Sequence, residues 1–521
     1  MKIRLAATGK LRLRIVAGSV RFALSAVASA APPPPVDEPP PPQDATITVT
    51  PADVADYRVF QRVGTSKAIA VSGSYTGTPD TIDARLVNAD TNEPVTAWAS
   101  VATAPSGGSF AGTFNAPQGY WYKLQFRGSK AGAASTPVTT ANRFGVGIIV
   151  WMIGQSNMVN RRGTGIKAPL ADKRTVEYWL DAWRLHGYRN ASAPLNAEIG
   201  DAGYTNTGNG GRGDGYILIA NLLAQGLDLP VALLSCADGG SPISEWITTI
   251  NGSDWTGKAV PVLNATGGDC EIVFWQQGES DADLMSKDTM KTRLGQLMAQ
   301  CHQQTGRNAS TLKFFVTTLG AGSYGSSEGE FGNIRAAHVE FATGTPGAYL
   351  ATSAQDSLTN DGVHWVGETY NRVVKREARS MLHAYGIGVS GAGPRVTGAT
   401  RTGLQVRLAI AHSGGTALLD GAGGNGSALT GFQFADAGAA GALIPYTTII
   451  DGNAIVCTLV SAPVGALSVS YAMMNNPHNA DPATSTSAVV LASVPYDNVV
   501  LHRTSNGCPL QPFSAITVTG A

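Results

Sequence analysis

The chain has 521 residues, and its 37 Lys+Arg are matched by 37 Asp+Glu, so the formal net charge is zero. That balance excludes a strong global attraction to nucleic acid or to an anionic membrane surface. The length exceeds what one hydrophobic core serves, which gives two to four domains of roughly 100–200 residues each. With 62 Gly and only 14% charged residues, the composition favours strands and turns over long helices.

The first thirty residues, MKIRLAATGKLRLRIVAGSVRFALSAVASA, allow two readings. Early basic residues and the Ala-Ser-Ala before a proline run fit a signal peptide cleaved after Ala30. Arg14 and Arg21 interrupt its apolar stretch, however, and Lys10–Ile15 alternates with the period of a half-buried strand. The second reading is an uncleaved strand that docks on a structural partner. Pro32–Pro42, PPPPVDEPPPP, forms a stiff polyproline spacer. Residues 1–44 are accordingly an anchor or signal segment plus linker. No stretch elsewhere has the length and apolarity of a membrane-spanning helix.

Over residues 45–143 short β-type runs, Thr46–Val49, Ala68–Val71, Ile82–Val87 and Trp121–Phe126, are separated by Gly/Pro/Ser turns. That spacing predicts a small antiparallel β-sandwich. From 144 to 386 the texture changes. Apolar runs at Ile148–Ile153, Pro230–Ser235, Glu271–Trp275, Leu312–Thr317 and Ala348–Ala351 are separated by helix-like segments, including Tyr216–Gln225, Ala282–Gln304 and Gly367–Tyr385. Such alternation predicts an α/β domain, a parallel sheet with helices on both faces and ligands beyond the carboxyl ends of its strands. Residues 387–521 return to β-type runs, Leu404–Ala409, Ala454–Val460 and Ala466–Met473, and predict a second sandwich.

The five cysteines show no CxxC spacing and no companion histidines at zinc-ligand intervals, so no metal site is expected. They are either plain buried residues or pair as Cys270–Cys301 and Cys457–Cys508.

Polar clusters stand at the ends of the predicted strands. GQSNM supplies Ser156, CADGGSPISEW supplies Gly239 and Gly240, WQQGESDAD supplies Gln277 and Glu279, and TNDGVHW supplies Asp361 and His364. A lone Gly-Gln-Ser-Asn cluster is ordinary turn chemistry. Together with an aspartate three residues before a histidine on a Gly-containing turn, it makes a serine–histidine–acid constellation. Trp246, Trp275 and Trp365 flank these clusters and either stack on a sugar or pack in the core. Asn157 fixes its turn through its side chain. Glu279 either holds its loop or contacts substrate.

The four blocks, in this order, resemble those of SGNH (GDSL-like) hydrolases, specifically the sialate O-acetylesterase and carbohydrate acetylesterase branch. The resemblance covers around 240 residues well. YRVFQR with SGSYTG and GYWYKLQFRG is similar to that family's N-terminal β-domain, and VSYAMMNNP to the end of its C-terminal one. It implies a flavodoxin-like central sheet flanked by two β-sandwiches, with Ser156 as nucleophile, His364 as general base and Asp361 as its orienting acid. It further implies an oxyanion hole from the backbone N–H groups of Ser156 and Gly240 plus the side chain of Gln277. Family members commonly use Asn for that third donor. Asn157, Glu279 and Trp365 are candidates for substrate or loop support.

The activity so implied is removal of O-acetyl groups from carbohydrate through an acyl-enzyme, with an acetylated glycan as substrate and with no metal or organic cofactor. A rival reading is a non-catalytic glycan-binding or surface-attachment protein, against which the intact Ser156, Asp361 and His364 argue. The expected location is outside the cytoplasm, either secreted or periplasmic or on a virion-like particle. Interruption of the signal by Arg14 and Arg21 favours the particle, where copies sharing an anchor would form a homo-oligomer.

Overall fold

In the computed structural model, the described residues are 46–159, 174–179, 182–185, 214–322, 325–357, 359, 361–365, 367–412, 418–419, 429–475, 477, 503–504 and 508–520. The expected N-terminal anchor, the polyproline spacer and most of residues 161–213 lie outside them. Among the described residues no helix is long and apolar enough to cross a membrane.

The centre is an α/β domain. Five parallel strands, β1 (Phe144–Gly154), β2 (Val231–Ser235), β3 (Ile272–Gln276), β4 (Lys313–Thr317) and β5 (Ala348–Thr352), lie in the spatial order 2-1-3-4-5. Strand Thr175–Trp179 adds a further parallel neighbour beyond β2. The order reverses at β1, so the crevice beyond the ends of β1, β2 and β3 is the switch point where ligands bind in such sheets. β1, β2 and β3 are buried along their whole length, which explains why they read as continuous apolar runs rather than alternating ones.

Helices α1 (Asp214–Leu227) and α4 (Gly367–His383) cover one face; α2 (Lys287–Thr305) and α3 (Glu330–Gly344) cover the other. The period of two in β1 divides its side chains between these layers. Ile148, Val150 and Met152 join the core under α1 and α4, whereas Ile149, Trp151 and Ile153 join that under α2 and α3. Each such aliphatic side chain contributes about 1.5–3 kcal/mol on full burial.

The expected strands appear within a few residues of their predicted limits. α2 starts later than predicted, because Ser286 accepts a hydrogen bond from Thr289 N at 3.2 Å and caps the helix there. In α3 a Cβ on Gly332 would lie 1.9 Å from the carbonyl oxygen of Met473, so close backbone approach requires glycine. The cysteine pairings do not form: all five thiols are free and buried.

Toward the N-terminus, strands Thr48–Pro51, Ser66–Thr76 and Ser109–Pro117 form one antiparallel sheet. Ile69, Val71, Phe110 and Phe114 share a core with Ile82, Leu86, Leu124 and Phe126 from the opposing strands Thr81–Asn88 and Gly119–Lys130. The first half of β1 pairs with Arg58–Gln61 and Gly119–Lys130, while its second half pairs with β2 and β3, making one 13-stranded sheet. Beyond α4, a five-stranded and a four-stranded sheet enclose a separate core that includes Val406, Leu408, Cys457, Phe434 and Val469.

Candidate active site

Ser156 starts a single helical turn just past β1. Gly154 has φ +137°, and a Cβ on it would lie 2.1 Å from Gln276 O of β3, so glycine lets the chain leave the sheet beside its neighbour. Gln155 then fastens the third block, its Oε1 accepting from Gly278 N and Ser280 N at 3.2 Å each. Gly239, after β2, lies directly over the serine: a Cβ there would be 4.0 Å from Ser156 Cβ. Gly240 follows with φ +79°. Among the described residues the backbone N–H groups of Ser156 and Gly240 have no acceptor, so both remain available at the mouth of the site.

Asp361 and His364 form their pair within one turn. Asp361 Oδ1 accepts from Val363 N at 3.0 Å and His364 N at 2.7 Å, while Oδ2 lies 2.7 Å from His364 Nδ1. Gly362 between them has φ +78°, which the tight turn requires. Desolvation pushes the Asp361 carboxyl up, but the imidazole and the two backbone donors outweigh it and hold it below the ordinary aspartate value. With Nδ1 engaged, Nε2 is the nitrogen left to face an incoming proton.

Asn157 joins this turn to the serine. Its Nδ2 donates to Val363 O at 3.0 Å and to Glu279 Oε1 at 2.7 Å. Its Oδ1 accepts from Trp365 N at 3.3 Å and from Tyr370 Oη at 2.8 Å. All four bonding positions of a fully buried amide are thereby used. Because Val363 and Trp365 flank His364, the residue next to Ser156 holds the histidine loop from both sides.

Glu279 is almost fully buried, with Oε1 on Asn157 and no partner for Oε2. Burial raises its pKa, against the opposing effects of the Asn157 bond and the nearby His364. Gln277 does not reach the serine in the way expected of an oxyanion donor. It is completely buried, and its amide nitrogen bonds Ser241 O at 3.3 Å and the Asp281 carboxylate, leaving neither hydrogen to aim at an oxygen above Ser156. Asp281 also accepts from Ile243 N at 2.8 Å, which ties the second and third blocks together.

The tryptophans are core residues. Trp246 and Trp275 are fully buried and meet edge to face with centroids 5.8 Å apart, and Trp365, 2% exposed, packs on Tyr370. Sugar stacking is therefore not open to them. Sequence reading missed Tyr370, whose hydroxyl completes the Asn157 set, and Gln155. No local pattern marks a helix tyrosine as a partner for a distant amide. Among the described residues no group of three or more His, Cys, Asp or Glu is placed to hold a metal ion.

The family model described as carbohydrate esterase, sialic acid-specific acetylesterase matches residues 147–383. Among solved structures, a carbohydrate acetylesterase from Xanthomonas citri is 19% identical with a TM-score of 0.60, covering 89% of this chain and 99% of that one. A protein from Arabidopsis thaliana is 20% identical over 46% of this chain and 98% of its own, with a TM-score of 0.34. NanS is 13% identical over 46% and 97%, with a TM-score of 0.30. No curated protein sequence matches the chain. The segment 147–383, which carries all four blocks and the Asn157-centred joint between them, thus matches the sialic acid-specific acetylesterase family of carbohydrate esterases, and the protein is a carbohydrate O-acetylesterase.

Proposed function

We propose that this protein removes O-acetyl groups by a two-step acyl-enzyme route in which Ser156 is the nucleophile, His364 the general acid–base and Asp361 its orienting acid. The observation that carries this reading is the clasp of Asn157 on Val363 and Trp365, which holds the histidine turn against the residue next to the serine. His364 Nε2 takes the hydroxyl proton as Ser156 Oγ attacks the acetyl carbonyl. The backbone N–H groups of Ser156 and Gly240 receive the developing oxyanion. Collapse of the tetrahedral intermediate breaks the ester bond, and the sugar alcohol leaves with the proton from His364. Water, deprotonated by the same imidazole, then releases acetate and restores Ser156.

On this reading Gln277, Glu279 and Asn157 support loops rather than touch substrate. The catalytic unit, 144–386, is read as a flavodoxin-like SGNH domain between β-sandwiches 45–143 and 387–521; the strand order 2-1-3-4-5 and the two-sheet cores on either side support it. Placement outside the cytoplasm, secreted or on a particle, and docking or oligomerisation through residues 1–30 rest on the sequence of that segment alone.

The test is hydrolysis of 4-nitrophenyl acetate and acetate release from acetylated polysaccharides by wild type and Ser156→Ala. The variant should fold normally and show no turnover on either. Full activity in Ser156→Ala would overturn the assignment.

A further inference from the structure

The guanidinium of Arg335, in α3, is fully buried and, among the described residues, forms no ion pair. Burial draws its pKa down to about 9. Five hydrogen bonds compensate the charge, and all go to main-chain carbonyls. Two are Leu319 O at 3.1 Å and Gly320 O at 2.5 Å, in the loop that leaves β4. Three are Ala472 O at 3.0 Å, Met474 O at 2.8 Å and Asn475 O at 2.8 Å, in the strap that follows strand Leu467–Tyr471 of the C-terminal β-region. One side chain thus bridges two segments about 150 residues apart in sequence.

Asn475 reinforces the bridge. Its carbonyl also accepts from Gly322 N at 3.3 Å, its Oδ1 from Phe331 N at 3.2 Å, and its Nδ2 donates to Ser327 O at 3.0 Å. The far side of the 319–322 loop rests on the acid–histidine turn. A Cβ on Gly320 would lie 2.5 Å from Trp365 Nε1, and one on Gly322 would lie 2.2 Å from Gly362 O. Gly362 lies between Asp361 and His364, and Trp365 follows the histidine.

We propose that the strap 472–475 is a positioning element of the esterase site: through Arg335 and Asn475 it fixes the 319–322 loop, which backs the Asp361–His364 turn. The inference rests on the reading of Asp361 and His364 as the acid–base pair. The clasp of Asn157 holds that turn from the nucleophile side, and the 319–322 loop limits its movement from the other. The C-terminal region is then part of the catalytic apparatus and not a separable module. Lysine cannot replace Arg335 fully, because a single ammonium cannot reach both carbonyl sets in a planar fork.

The test measures kcat and KM for 4-nitrophenyl acetate on the full chain carrying Arg335→Lys, Arg335→Met or Asn475→Ala, with rates normalised to the folded fraction from thermal unfolding. His364→Ala is run alongside. Misplacement of the base predicts a fall in kcat on the order of 10- to 100-fold with KM within about twofold, and partial recovery in Arg335→Lys relative to Arg335→Met. If Arg335→Met does not fold, Asn475→Ala and Arg335→Lys decide. Wild-type kcat per folded molecule in those two variants, with His364→Ala inactive, would overturn this inference alone. An active His364→Ala would instead remove the acid–base reading on which it rests.

Discussion

Asn157, the residue after Ser156, donates its side-chain amide to the carbonyl of Val363, the residue before His364, at 3.0 Å. The same amide takes the backbone N–H of Trp365 on the other side of the histidine. Ser156 and His364 are more than 200 positions apart in the chain, and a single buried amide sets the spacing between their backbones. Orientation of this kind is worth orders of magnitude in rate, since small displacements of a base lower the fraction of reactive geometries.

Asn157→Ala should therefore reduce kcat by about 100-fold while leaving the nucleophile in place. It also strips Glu279 Oε1 of its donor, and a buried polar group so orphaned costs about 1–3 kcal/mol. Urea denaturation beside steady-state kinetics separates the two effects. Unchanged kcat in a destabilised variant would show that the clasp stabilises the fold without aligning the site.

Asp361→Asn removes the charge that faces the imidazolium and reverses the hydrogen-bond preference at His364 Nδ1. Loss of kcat should be severe, about 10⁴-fold by the behaviour of such triads. Stability should change little at neutral pH, because the aspartate side chain is 54% exposed. Near-wild-type turnover would mean that another group orients the histidine.

Gln277→Ala distinguishes a structural amide from an oxyanion donor. Removal of a true donor costs about 10²–10³ in kcat. With its amide nitrogen engaged by Ser241 O and Asp281, the variant should instead lose about 1–3 kcal/mol of stability and keep kcat within about tenfold. A large drop in kcat at unchanged stability would return Gln277 to the oxyanion hole.

Glu279 gives the stability a pH dependence of defined sign. Its folded pKa is raised by burial, so the folded state binds the proton more tightly than the unfolded chain, whose glutamates titrate near about 4.3. Its relative contribution is most favourable below that value and declines as pH rises through the raised folded pKa. Glu279→Gln keeps an oxygen for Asn157 and removes the titration. Wild type should therefore lose stability relative to this variant between about pH 4 and the raised value, as read from urea midpoints. A parallel pH dependence in the two proteins would exclude the effect.

The thiols should be silent in the native protein. All five are buried and free, and desolvation raises the Cys457 pKa to about 12 and moves Cys270 and Cys301 up as well. A colourimetric thiol reagent should find almost none without denaturant and all five in guanidinium, and reducing agents should leave thermal stability unchanged. Fewer than five after denaturation under non-reducing conditions would indicate a disulfide.

The sequence by itself determined the α/β class, the five parallel strands and the four polar blocks at their ends. Buried parallel strands must be continuous apolar runs, and a strand such as Ile148–Ile153 leaves the sheet only where glycine and polar residues permit. The spacing of Asp361 and His364 was also local, because one turn builds that pair from its own backbone. Only the tertiary structure decided what lies between the blocks. Gln277 turned toward Asp281, Trp246 and Trp275 closed into the core, and Tyr370 reached Asn157 from a helix whose pattern signals nothing but amphipathicity. The carbonyl cage of Arg335 was likewise hidden, and the glycine at 332 becomes necessary only when the Met473 carbonyl packs against it. Local patterns report the solvent and the backbone. Pairings between distant buried polar groups depend on which surfaces meet, and no short stretch of chain encodes that on its own.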